Sequence, residues 1–246
     1  MADELKDKVA LITGSGRGIG RAIALSMAEA GARVVVNARS ISDVGQVVAE
    51  IRAKNGAALP HAADISVPDQ VEAMIRRVRR SYGPVDILVN CAGIIGPQAF
   101  GQDVTPGEFL DVLKVNLWGT FLCCKYVLPT MIQRRSGRII NFTGGGAAQP
   151  LKGGLPYASS KAGIEGLTRN LALEVEPLGI TCNCISPGRV DTPGFPAGPS
   201  PADRVGVVGP EHAARLAIWL ASDASKDVNG QSIDAPAWDQ SRTDAG

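Results

Sequence analysis

The chain has 246 residues, of which 45% are hydrophobic and 20% charged, and its formal net charge at pH 7 is +1. Such a chain is long enough to bury a sizeable core; the length suits one or two domains, α/β chains of this size often form one, and a single domain spanning residues 1–246 is expected. The near-neutral balance provides no field to gather nucleic acid or an anionic membrane, so neither is expected as a partner.

The opening MADELKDKVALITG puts charges before a short apolar stretch and lacks the long apolar core of a secretory leader. No segment reaches about 18 uninterrupted apolar residues, so no membrane span is expected and the expected compartment is the cytoplasm. Cys91, Cys123, Cys124, Cys182 and Cys184 are odd in number, which argues for free buried thiols and against a disulfide framework. His61 and His212 stand in no ligand-like spacing with them, and no metal site is expected.

In chain order, the apolar period keeps switching between strand and helix. Val9 to Thr13 and Val34 to Val36 read as buried parallel strands, with a helix from Ile19 to Ala30 between them that Gly31 ends. A helix near Val44 to Lys54 precedes a strand near Ala58 to His61. A helix from Pro68 to Arg80 then leads to the apolar strand Asp86 to Asn90. The second half predicts a long helix from Glu108 to Ile132, a strand from Arg138 to Thr143 and a helix from Tyr157 to Val175. A strand from Ile180 to Ser186, a helix from Glu211 to Leu220 and a last strand from Gln231 to Asp234 follow. This alternation implies a Rossmann-type doubly wound parallel sheet, class α/β, with helices on both faces. Ligands in such sheets bind beyond the carboxyl ends of the strands. Pro187 to Pro210, rich in Gly and Pro, reads as a substrate loop at about 189–210.

TGSGRGIG, Thr13 to Gly20, joins the first strand to the first helix. Gly14 permits a tight turn, Gly18 lets the backbone approach a pyrophosphate and Gly20 permits close helix packing, while the helix N-terminus offers free N–H groups. Nicotinamide enzymes with this turn that use NAD(H) usually carry an acid after the second strand for the ribose 2′-hydroxyl. Here that stretch is Asn37-Ala38-Arg39-Ser40. Arg39, with Arg17 from the glycine turn, suits a 2′-phosphate, so NADP(H) is expected in preference to NAD(H).

The glycine spacing resembles the short-chain dehydrogenase/reductase family, ketoacyl reductases in particular, and the likeness covers about residues 6 to 234. Asp64 after the third strand fits the family's adenine-contacting Asp, and Asn90-Cys91-Ala92-Gly93 resembles its Asn-x-Ala-Gly turn. Asn116 fits the Asn of the fourth helix, Tyr157-x-x-x-Lys161 the catalytic pair, and Pro187-Gly188 with Thr192 the segment that meets the nicotinamide. The resemblance implies hydride transfer between a ketone and a secondary alcohol. It makes Tyr157 the acid/base, Lys161 its helper and ribose ligand, and Asn116 the organiser of a proton relay. It also extends the cofactor contacts to Ser15, Ile19, Ile65, Ala92, Gly93 and Val190. Lowering a tyrosine pKa by about three units needs about 4 kcal/mol of differential interaction, which the lysine charge and the nicotinamide's positive charge would supply together.

Two departures stand out. The family's polarising serine lies thirteen residues before the tyrosine, and here that position is Gly144. Thr143 is the expected substitute if the Gly144-Gly145-Gly146 run bends the backbone, because strand alternation otherwise points it to the opposite face. Backbone N–H groups of the glycines, Ser159 or Ser160 are alternatives, as is a site that reduces nothing. The covering loop after Thr192 is short and holds Pro193, Pro196, Pro199, Pro201 and Pro210, so the expected mouth is open to a small-molecule or carrier-bound carbonyl substrate. By resemblance the Glu108 to Ile132 helix and the Tyr157 helix pair subunits, and a homodimer or homotetramer is expected. The rival readings are a non-catalytic NADP(H)-binding protein and a non-redox enzyme on the same fold.

Overall fold

A computed structural model describes residues 3–144, 152–192 and 204–243. Strands β1 (Val9–Thr13), β2 (Arg33–Ala38), β3 (Ala58–Ala62), β4 (Ile87–Asn90), β5 (Gly137–Phe142) and β6 (Ile180–Ser186) alternate with helices. With β9 (Ser232–Asp234) they form one seven-stranded sheet in the order β3-β2-β1-β4-β5-β6-β9. Every pairing in it is parallel. The short β7 (Arg189–Val190) and β8 (Val207–Val208) pair separately and close the two ends of the expected substrate loop; residues 193–203 of that loop lie outside the described residues.

The alternating strand residues build two cores. Ala10, Ile12, Val34, Val36, Val89 and Ile140 face α1 (Gly18–Glu29), α2 (Ile41–Ala53) and α7 (Glu211–Ala221). Leu11, Val35, Leu88, Ile139 and Cys182 face α3 (Pro68–Ser81), α5 (Gly119–Arg134) and α6 (Leu155–Val175). A strand buried on both faces has no polar face to show, which is why these segments read as continuous apolar runs.

Two features depart from the sequence expectation. The fourth helix starts earlier, as α4 (Pro106–Leu113), where Thr105 and Glu108 form a reciprocal capping box. It passes through one turn of π-helix at Lys114–Trp118 before continuing as α5. That wider turn contains Asn116, whose carbonyl accepts from the Thr120 hydroxyl at 2.7 Å. The second departure is an unexpected helix α8 (Ala235–Thr243) after the last strand. Asp234 begins it by accepting from the Ala237 N–H at 2.9 Å. Trp238 packs on Trp219, Arg242 stacks over both rings, and Asp239 binds Arg215 and His212. The Asp234-Ala235-Pro236 start was a legible cap signal.

Between β1 and β4 the strand order reverses, and the loops leaving the two strands diverge to opposite faces. That point carries the site.

Candidate active site

The turn after β1 and the turn after β4 pack back to back. Gly14 has φ +66°, and a Cβ there would lie 2.6 Å from the Ala92 Cα. Only glycine tolerates both the left-handed backbone and that approach. Above them opens a cleft of about 430 Å³. Gly14, Arg17, Gly18, Ile19, Gly20, Arg39, Asp64, Ile65, Ala92, Gly93 and Thr192 line it, so these predicted cofactor residues from five separate segments meet in one place.

Other predicted cofactor residues sit elsewhere. Ser15 is fully buried beneath the turn, where its hydroxyl donates to the Ile12 carbonyl at 2.7 Å and accepts from the Asn37 N–H at 3.0 Å. It shapes the turn from below. Asn90 points into the layer under α5, donating to Asn141 Oδ1 at 2.9 Å, because strand alternation turns it away from the cleft. Pro187, Gly188 and Val190 do not line the cleft among the described residues; Gly188 instead lies against Pro236 of α8. Sequence reasoning missed Gly16, Ser40, Asp43, Cys91, Ile94 and Val115, all of which line it. Cys91 and Ile94 adjoin the recognised turn and could have been included. Nothing local marks Asp43 or Val115, which only helix packing brings there.

Beside the cleft stand Asn116, Tyr157 and Lys161. Asn116 is fully buried. Its Oδ1 accepts from the Ile94 N–H at 2.8 Å, and its Nδ2 donates to the Ile94 carbonyl and the Ser160 hydroxyl, each at 2.9 Å. Ser160 in turn donates to the Tyr157 carbonyl at 2.7 Å. Asn116 thereby ties the loop after β4 to the helix that carries Tyr157. Lys161 is 5% exposed, donates to the Phe142 carbonyl at 2.8 Å and holds its ammonium 5.5 Å from the Tyr157 ring centre.

In the protein alone, burial dominates the electrostatics of the pair. Burial pushes Lys161 down to about 8, and it pushes the Tyr157 phenol above its usual value, with the Cys91 thiol adding to the rise. Taking the phenolate charge out of water sets the direction of the shift here. At neutral pH Tyr157 is therefore a protonated donor, the state a reduction requires. Burial also pushes the Cys91 thiol up to about 12, which keeps it a neutral wall of the cleft.

Gly144 lies directly against Tyr157. A Cβ at residue 144 would fall inside van der Waals contact of the Tyr157 hydroxyl and 3.3 Å from the ring carbon Cζ. The phenol occupies space that any side chain at 144 would need. Thr143 does not turn toward it. Its N–H donates to the Ile185 carbonyl at 3.0 Å, its hydroxyl reaches the same oxygen at 3.3 Å, and it is 2% exposed. Both bonds hold Thr143 against the end of β6. Ser160 is engaged with Asn116 and Tyr157 as described. Gly145 and Gly146, two more of the alternative donors, lie outside the described residues, and Ser159 is half-buried on the Tyr157 helix.

Among the described residues no group of three or more His, Cys, Asp or Glu is placed to hold a metal ion, and no helix is long and apolar enough to cross a membrane.

A family model for short chain dehydrogenases matches residues 8–198. The chain belongs to that family. It is 37% identical over 238 residues to the 3-oxoacyl-(acyl-carrier-protein) reductase FabG of Staphylococcus epidermidis, covering 92% of this chain and 96% of the relative. It is 36% identical over 250 residues to an NADPH-dependent aldehyde reductase-like protein of Arabidopsis thaliana, covering 93% of each. A solved 3-oxoacyl-(acyl-carrier protein) reductase of Brucella melitensis with bound NAD superposes with a TM-score of 0.87 at 32% identity, covering 95% of this chain and 91% of that one. The chain is accordingly an oxidoreductase that interconverts a ketone and an alcohol with a nicotinamide cofactor.

Proposed function

We propose that this family member prefers NADP(H) to NAD(H) and works as a reductase on a small-molecule or carrier-bound ketone. The observation that carries the cofactor reading is the pair Arg17 and Arg39, which line one cleft while the last residue of β2 is Ala38. Neither guanidinium has an ion-pair partner among the described residues, so both are free to meet a 2′-phosphate bidentately. The cleft fits the rest of the cofactor: its glycine turn admits a pyrophosphate at the N-terminus of α1.

A bound nicotinamide would supply the hydride that the carbonyl carbon gains. Tyr157 donates the proton that the carbonyl oxygen gains. Lys161, anchored on Phe142, presents its ammonium to the ring of Tyr157, and it would grip the ribose. Asn116 fixes the helix that carries both. In the present state the phenol itself is the polarising donor, with Thr143 an anchor between β5 and β6. A carrier-bound substrate is supported by the acyl-carrier specificity in the name of the Staphylococcus relative. Cytoplasmic location and a homodimer or homotetramer belong to the same proposal. Leu110, Trp118 and Phe121 support the assembly: they stay exposed along α4, the π turn and α5, with the two rings 5.3 Å apart.

The test is turnover with NADPH and NADH on a panel of ketones for wild type and Arg39→Ala. Loss of one charge-assisted phosphate contact, about 2 kcal/mol, lowers kcat/KM for NADPH about 30-fold and leaves NADH within about threefold. Equal losses for both cofactors refute the NADP(H) reading.

A further inference from the structure

The same end of the cleft holds a charge of the wrong sign for a 2′-phosphate. Asp43, in the first turn of α2, lines the cleft together with Arg17, Arg39 and Ser40. Its position is set from two sides. Ser40 caps α2 by accepting from the Asp43 N–H at 3.2 Å, which fixes the backbone. On the side of the glycine turn, Gly16 leaves just enough room: a Cβ built on Gly16 would lie 2.8 Å from the Asp43 Cβ and 3.1 Å from that of Ala38. The glycine turn, the end of β2 and the start of α2 are thus in mutual contact at this point. The Asp43 carboxylate has no hydrogen-bond or ion-pair partner among the described residues, so no neighbour neutralises it.

We propose that Asp43 is a specificity-determining residue that opposes the two arginines and holds the preference for NADP(H) over NAD(H) to a modest ratio. The inference rests on the reading of Arg17 and Arg39 as phosphate ligands and deepens it. A 2′-phosphate entering this end meets two guanidinium groups and one carboxylate. A ribose 2′-hydroxyl meets the same groups without a charge of its own, so Asp43 acts on one cofactor and is neutral to the other. The end of β2 carries no acid and the first turn of α2 carries one, which repels a phosphate without being placed by the strand to bind the ribose.

The experiment measures binding alone, by calorimetry with adenosine 2′,5′-bisphosphate and with adenosine 5′-monophosphate, on wild type, Asp43→Asn and Arg39→Ala. Removing one like charge from a solvent-facing anion site tightens the bisphosphate about tenfold at low salt, and the gain shrinks as ionic strength rises. The monophosphate stays within about twofold, since a 1.4 kcal/mol difference is needed for each factor of ten. An unchanged bisphosphate affinity in Asp43→Asn overturns the proposal. So does a monophosphate weakened severalfold, which would make Asp43 the ribose ligand. Asp43→Ser, which keeps a residue suited to a helix start, must reproduce the result with an unchanged thermal melt. Arg39→Ala separates the two claims: if it leaves the bisphosphate affinity intact, the arginine reading fails whatever Asp43 does. Wild type binding neither nucleotide refutes both.

Discussion

Replacing Gly144 by alanine and by serine separates two roles that one missing side chain combines. Either Cβ would fall inside contact distance of the Tyr157 hydroxyl, while the ring carbon Cζ stands at 3.3 Å. The neighbour is the far end of a flexible side chain, so the fold survives and the phenol swings by about 1 Å. A displacement of that size at a reacting atom costs about 100-fold in rate. Gly144→Ala should therefore lose about 100-fold in kcat on the best ketone. Gly144→Ser makes the same displacement but adds a hydroxyl at the position where the family keeps its polarising donor. One such donor is worth about 100- to 1000-fold, so the serine variant should regain wild-type turnover or exceed it. The assay is NADPH oxidation at saturating ketone, with thermal melts as the folding control. Alanine equal to wild type would refute the claim that the phenol's seat against Gly144 matters. Serine equal to alanine would refute the claim that the site lacks a donor. A parallel Thr143→Val variant should change turnover less than threefold, since its hydroxyl is engaged with the Ile185 carbonyl.

Two further outcomes follow from buried charge and exposed surface. Lys161, held at about 8 against about 10.4 in an unfolded chain, makes burial of its charge cost about 3 kcal/mol at pH 7. Lys161→Met should abolish turnover yet stabilise the cofactor-free protein by about 2 kcal/mol at pH 7, after about 1 kcal/mol for the hydrogen bond lost at the Phe142 carbonyl. Between pH 8 and about 10.4 the unfolded wild type binds the proton that the folded protein has released, so wild-type stability rises relative to the variant and the gap closes. Denaturant melts at pH 7 and 10 check this; a gap that widens with pH refutes it. Light scattering on a sizing column should give a dimer or tetramer, and Trp118→Glu with Phe121→Glu should shift it toward monomer; a wild-type monomer refutes the assembly.

The strand and helix alternation was legible because the central strands β1 and β4 are buried on both faces, while the helices bury one face. The glycine turn was equally legible, since a left-handed residue at Gly14 and a close approach to Ala92 both demand glycine. Tyr157 and Lys161 were legible from their spacing on one helix face. Three things were decided only in the folded molecule. The direction of Thr143 depends on how far the β5–β6 ladder extends, which is a matter of hydrogen bonds between segments more than 40 residues apart. The protonation of Tyr157 and Lys161 depends on how much water each loses, and desolvation is a property of the packed site. Asp43 joins the cleft because α2 lies against the glycine turn. Its sequence neighbours explain its helix and its cap, but not the distance to Gly16, because that contact is made by packing between elements that no local pattern encodes.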